Sequence, residues 1–272
     1  DPDTEIAAVT CVHGNKPVDV TTANARRILD LAGKHDIPVH RGAERPLLIP
    51  AKPDDDYYGR DGLGDIGLPP PSRQPDARHA VDVLAETVMT EPSGSVWVCA
   101  IGPLTNVALA MRMESRFASR LAGLVIMGGD VGPGAPAEFN IGTDPAAANI
   151  VFGSEAPLTL VPYNVTRAVH ATAETLATLS ASGSKAANAV ANMQRARDPA
   201  GSALHDAFAL ATLFAPDLFD FAEGTVTVEW RDASREGETA FEPSAGGPHR
   251  VVTGLDAAAF ERLLTTSLAK LD

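Results

Sequence analysis

Short apolar runs rich in Val, Ile and Leu alternate along this chain with longer stretches whose apolar residues recur every three to four positions. That alternation is the strongest constraint on the fold. The runs at 6–12, 37–40, 95–100, 124–127, Leu158–Val161, 226–230 and 250–252 read as strands. The stretches Val18–Leu31, 76–90, 104–113, 144–152, 173–215 and 256–268 read as helices. Within the first helix, Val20, Ala23, Arg27 and Leu31 fall near one face, and Gly33 marks its stop. In the second, Ala80, Val81, Leu84 and Val88 have helical spacing, with His79 on the same helix. Asp144-Pro145 is an N-cap followed by proline at the first helical position. Strands interleaved with helices predict an α/β fold, a mostly parallel, Rossmann-like sheet with helices on both faces. The 272 residues fit a single domain.

Charge narrows the choice of partners. Asp and Glu number 35 against 22 Lys and Arg, a formal charge of −13. A nucleic-acid surface needs clustered cations and is not expected. No apolar run reaches the ~18–20 residues of a membrane span. Cys11 and Cys99 lie in apolar, strand-like runs and read as buried thiols of a reducing, cytoplasmic setting.

In open α/β sheets ligands bind beyond the carboxyl ends of strands. That rule selects His13-Gly14-Asn15, Ile101-Gly102, Met127-Gly128-Gly129 with Glu138-Phe139-Asn140, Tyr163-Asn164 with Thr166, and His205-Asp206 at a helix start. These positions are rich in carboxylates and amides and poor in Lys and Arg. They suit a neutral polyhydroxy ligand or a hard cation better than a phosphate. Each signal has a plainer reading: His205-Asp206 as a helix cap, Glu138 and Asn140 as loop residues, Asn15 as a turn residue, and Asp54-Asp55-Asp56 as a solvated charge run. Gly62, Gly64 and Gly67 spell G-x-G-x-x-G, but Pro69-Pro70-Pro71 follows where a dinucleotide fold needs a helix. Residues 41–75 form the longest irregular segment, a length usually tied to function.

Several stretches, taken in order, resemble the inosine–uridine-preferring nucleoside hydrolase family. They are Val12-His13-Gly14-Asn15, Gly59-Arg60-Asp61-Gly62-Leu63-Gly64, Ile101-Gly102-Pro103-Leu104-Thr105-Asn106, Val125-Ile126-Met127-Gly128-Gly129, Ala137-Glu138-Phe139-Asn140-Ile141, Asn164-Val165-Thr166 and His205-Asp206. The resemblance implies the nucleoside hydrolase fold, and hydrolysis of the N-glycosidic bond of ribonucleosides to ribose and free base by a Ca²⁺-bound water. It implies Asp206 and the Ile101 carbonyl as Ca²⁺ ligands, with Asn15 near the metal and the ribose 2′-hydroxyl. Met127 would line the ribose pocket, Glu138 and Asn164 would hold the 5′-hydroxyl, and Asn140 the 3′-hydroxyl. His205 would stand near the base as the candidate acid. The family also opens on an Asp-rich strand that supplies Ca²⁺ ligands and the general base. The resemblance therefore implies one domain over 1–272, with that first strand and helix preceding residue 1. Tyr58 stands where the family often has His. A homodimer or homotetramer is implied as well. The alternative reading is a catalytically inactive relative that binds ribosides or serves as an assembly subunit.

Overall fold

The computed structural model describes residues 4–51, 56–198 and 203–271. Four strands, β3 (Trp97–Ala100), β4 (Gly123–Met127), β5 (Leu158–Val161) and β8 (His249–Leu255), run parallel in that order. β6 (Phe219–Val228) pairs antiparallel with β8 and with β7 (Thr239–Pro243), which completes a six-stranded, mostly parallel sheet. β1 (Val9–Thr10) and β2 (Val39–His40) form a separate parallel pair.

β4 shows why the sheet must be covered twice. Leu124 and Ile126 enter a core with α2 (Ala80–Thr90), α3 (Thr105–Met113), α4 (Phe117–Arg120) and α6 (Pro145–Phe152). Val125 and Met127 enter a second core with α10 (His205–Phe214) and α11 (Ala257–Leu268). Successive strand residues face opposite ways, so five consecutive apolar or glycine positions feed two cores. There Phe208 of α10 stacks on Phe260 of α11, ring centroids 4.0 Å apart.

The expected elements are present with some changes. The run at 6–12 pairs only at Val9 and Thr10, because β2 offers two residues of ladder. His79 is the N-cap of α2, its Nδ1 accepting from the Val81 N–H, and not a residue within the helix. The helical region at 173–215 divides into α8 (Ala173–Ala181), α9 (Lys185–Arg197) and α10. Ser184 caps α9 through the Ala187 N–H, which forces a new helix start. On α1 (Val18–Leu31) the buried residues are Val18, Thr22, Asn24 and Arg26, and not the face of Val20, Ala23, Arg27 and Leu31. Arg26 is buried because its guanidinium donates to the carbonyls of His35 and Ile37. Residues 41–75 carry no helix or strand among those described. Asp56 lies there, exposed and 3.5 Å from the Lys16 ammonium, whereas Asp54 and Asp55 lie outside the described residues. Both cysteines are free. Among the described residues no helix is long and apolar enough to cross a membrane.

Two polar anchors give stability tests. At the start of β8, His249 accepts from the Val226 N–H at Nδ1 and meets the Phe152 carbonyl at Nε2, 3.0 Å away. Nδ1 must then be unprotonated and Nε2 must carry the hydrogen, so the folded ring is neutral. Burial lowers its pKa below 6.5, and the Phe152 carbonyl raises it less. Unfolding frees the ring to bind a proton below pH ~6.5, so this contribution is full above that pH and is lost as pH falls. Urea unfolding of wild type should show stability declining from pH 7.5 to 5.5. His249→Asn should be less stable at pH 7.5 and decline less; an unchanged slope would remove His249 from this account.

Glu138 is the second anchor. It is the N-cap of α5 (Phe139–Thr143), and its Oε2 accepts from the N–H groups of Ile141 and Gly129. Glu138→Ala should cost about 1–3 kcal/mol in urea unfolding, the sum of a lost cap and an unmet buried amide. Glu138→Gln keeps an acceptor oxygen and should cost less than half as much. Equal losses would show that the charge, and not the acceptor, holds this corner.

Candidate active site

The carboxyl ends of β3, β4 and β5 open into one cleft of about 480 Å³. That volume lies within the ~300–1,000 Å³ of small-molecule sites. Ile101 follows β3, Met127 ends β4 and Tyr163 follows β5, and all three line the cleft. Asn15, Glu138, Asn140, His205 and Asp206 line it too. Seven of the eight residues chosen from the sequence therefore share one cavity. Asn164 is absent from the lining. Its Oδ1 accepts from the Val131 N–H at 3.0 Å, so it fastens the loop at 130–136 beside the cleft.

Local geometry decides which atoms are committed. Gly129, at φ +72°, turns the chain after β4 so that its N–H points at Glu138. The Gly129 carbonyl accepts from the Tyr163 N–H at 2.7 Å. Asn140 donates its amide to the Met127 carbonyl at 3.0 Å, which leaves its Oδ1 as the acceptor. The Asn15 side chain forms no hydrogen bond with any described residue and is not needed as a turn clasp. The segment bearing it is fixed upstream: His13 Nε2 lies 3.0 Å from the Thr105 hydroxyl, which donates to Asp144 at 2.6 Å.

His205 and Asp206 open α10, yet neither caps it; the N-cap is Leu204 and has no side-chain cap bond. His205 Nδ1 lies 2.8 Å from the Thr166 hydroxyl. That hydroxyl donates to the Tyr163 carbonyl at 3.2 Å, so it accepts from Nδ1–H and leaves Nε2 as the free lone pair. The Tyr163 ring flanks the imidazole at 5.0 Å. Burial, then the charges of Arg197 and His170, lower the His205 pKa to about 4.

Asp206 lines the cleft and is exposed to its solvent, with protein packed closely around it. Burial and repulsion from Glu138 raise its pKa to about 6, against a smaller lowering by Arg197. Two carboxylates confined together favour a cation between them. Asp206, the Ile101 carbonyl and the Asn15 amide oxygen are hard donors of the kind Ca²⁺ takes. They fit such an ion as three of the 6–8 oxygens it takes. Among the described residues no three His, Cys, Asp or Glu side chains cluster as a complete metal cage.

The expectation that the pocket is poor in cations needs correction, because Arg167 and Arg197 both line it. Arg167 lies 3.9 Å from Asp130 and over the Tyr163 ring. Arg197 lies over the rings of Tyr58 and Tyr57, at 4.6 and 5.2 Å. Tyr57 and Tyr58 come from the long irregular segment and Arg197 from the end of α9, so no strand-end rule could select them. Tyr58, at the family's usual His position, carried the one available hint.

The comparisons with known proteins agree with this geometry. A family profile described as inosine-uridine preferring nucleoside hydrolase matches residues 1–262. The chain is 36% identical to a pyrimidine-specific ribonucleoside hydrolase, RihA, of Shewanella sp. (strain ANA-3), over 98% of this chain and 89% of that one. It is 37% identical to uridine nucleosidase 1 of Arabidopsis thaliana, over 84% and 71% of the two chains. The structure superposes on a purine-preferring ribonucleoside hydrolase from Gardnerella vaginalis with a TM-score of 0.92 at 25% identity, covering 100% of this chain and 92% of that one. The chain belongs to the inosine-uridine preferring nucleoside hydrolase family.

Proposed function

We propose that this protein hydrolyses the N-glycosidic bond of ribonucleosides, releasing ribose and free base. The observation that carries this reading is Asp206: a carboxylate open to the cleft beside Glu138, committed to no helix cap and sharing a nucleoside-sized cavity with polar side chains. Asp206 and the Ile101 carbonyl, with Asn15 beside them, would hold Ca²⁺. Bound there, the ion would supply a Lewis acid for ribose hydroxyls and for the attacking water.

The chain's own residues bind and orient the substrate and stabilise the charges that develop on it. Asn15 faces the 2′-hydroxyl, Asn140 accepts from the 3′-hydroxyl, and Glu138 orients the 5′ end; Asn164 acts there by holding the 130–136 loop. Met127 packs under the ribose. As the C1′–N bond lengthens, positive charge builds on the sugar, and the carboxylates of Asp206 and Glu138 lower its energy. His205 is neutral at pH 7 and turns Nε2 toward the base. The neutral ring carries no hydrogen at Nε2, so His205 acts as the acid only after Nε2 has gained a proton, which the departing base takes as its own proton affinity rises.

The protein incubated with Ca²⁺ should release reducing sugar from uridine or inosine without phosphate. Dependence on phosphate, with ribose 1-phosphate as product, would overturn the reading; tight riboside binding without turnover would favour the inactive alternative. Asp206→Ala should lower Ca²⁺ affinity and rate together. His205→Ala should lower the rate with Ca²⁺ affinity unchanged. Equal metal loss in both variants would reverse these assignments.

Thr166→Val removes the partner of His205 Nδ1 without changing volume. It should lower kcat by about tenfold with little change in KM, the cost of a lost orienting hydrogen bond. Thr166→Ser should recover most of the rate. An unaffected Thr166→Val enzyme would mean that packing against Tyr163 alone orients the imidazole.

A further inference from the structure

Beyond the sugar end, the geometry points to Arg197 as the group that binds the departing base and stabilises the charge it carries away. This deepens the proposed reaction and rests on it. Arg197 ends α9, and its guanidinium lies over the faces of Tyr58 and Tyr57, whose rings meet edge to face at 4.9 Å. Its Nη2 donates to the Tyr57 hydroxyl at 3.3 Å. No acceptor among the described residues meets its buried Nε. Arg167, the other arginine of the cleft, faces Asp130, whereas no carboxylate forms an ion pair with Arg197 among the described residues. Arg197 is therefore a cation held against two aromatic rings, with donor capacity left over, in the wall of the cleft that holds Asp206 and His205.

A nucleobase offers what that fork lacks. Next to the glycosidic nitrogen stands an acceptor, O2 of a pyrimidine or N3 of a purine. When the C1′–N bond breaks, its electron pair stays on the base and spreads onto that acceptor, while the water oxygen bonds to C1′. A guanidinium keeps its proton at any working pH, so Arg197 stabilises the base anion by charge and hydrogen bond. The proton shed by the attacking water balances the one the base finally gains. The interaction strengthens as charge develops, so it belongs to kcat more than to KM.

The test compares two leaving groups on the same enzyme with Ca²⁺. Uridine needs stabilisation of its departing base; 4-nitrophenyl β-D-ribofuranoside releases an anion stable by itself. Arg197→Ala should lower kcat on uridine by about 10²-fold, the size of a lost transition-state donor, and leave the nitrophenyl riboside within about threefold. Arg197→Lys should recover part of the uridine rate, as a charge without the planar fork. Equal losses on both substrates in a variant with the wild-type urea midpoint, or an unchanged uridine rate, would overturn the assignment. Wild type that cleaves neither substrate would instead bring down the nucleoside hydrolase reading, and this inference with it.

Discussion

One carboxylate, that of Asp144, fixes the frame on which the cleft is built. Its Oδ1 accepts from the Ala147 N–H and starts α6. Its Oδ2 accepts from the Thr105 hydroxyl at the head of α3 and from the Leu47 N–H in the long irregular segment. Through Thr105 the network reaches His13, two residues before Asn15. Asp144, Thr105 and His13 are all buried, so each unmade bond would leave a polar group unmet in a medium that penalises it. Four segments distant in sequence can therefore shift only together. Asn106 repeats the device beside it: its Nδ2 donates to the Cys11 carbonyl and its Oδ1 accepts from the Ala43 N–H. This clasp joins the β1–β2 pair to the head of α3.

Within that frame the cleft is divided by charge. Glu138 and Asp206 make one region negative, and Glu138 opposes ionisation of Asp206. Arg197 makes another region positive, and its field disfavours the protonated form of His205. A ribosyl cation leaving a base anion is the charge pattern that such a site complements. The Tyr58 phenol lies within reach of both fields: burial raises its pKa most, and Arg197 lowers it against Asp206, Tyr57 and Glu138.

The sequence disclosed the sheet, most helices and seven cleft residues because those follow from local rules. Leu158–Val161 has the same bounds by pattern and by structure, since both faces are buried and the run is apolar throughout. Asp144-Pro145 announced its helix by cap chemistry, but nothing local showed that the same carboxylate also serves Thr105 and Leu47. The buried face of α1 was misjudged because Arg26 looks like a surface residue until the carbonyls of His35 and Ile37 close around it. Asn164 passed for a lining residue because its neighbours in sequence do line the cleft, whereas its amide turns to Val131. Arg197 and Tyr57 were missed because they reach the cleft through tertiary contacts that leave no periodicity behind, whereas Arg167 directly follows Thr166 and lay within reach of the strand-end rule.

Those misses have a common physical origin. In the proposed reaction the sugar end stands just beyond strand termini and on the first turns of α5 and α10, which pack on the sheet and are held rigid by it. The base end is assembled from an irregular segment and a helix terminus, joined by ring stacking and one long hydrogen bond. Contacts of that kind tolerate substitution without disturbing the sheet. The strand-end part of the cleft can then stay fixed while the Tyr57–Tyr58–Arg197 wall varies. Within the proposed reaction, recognition of the base would then fall to this wall, where a substitution disturbs the fold less than one at a strand end.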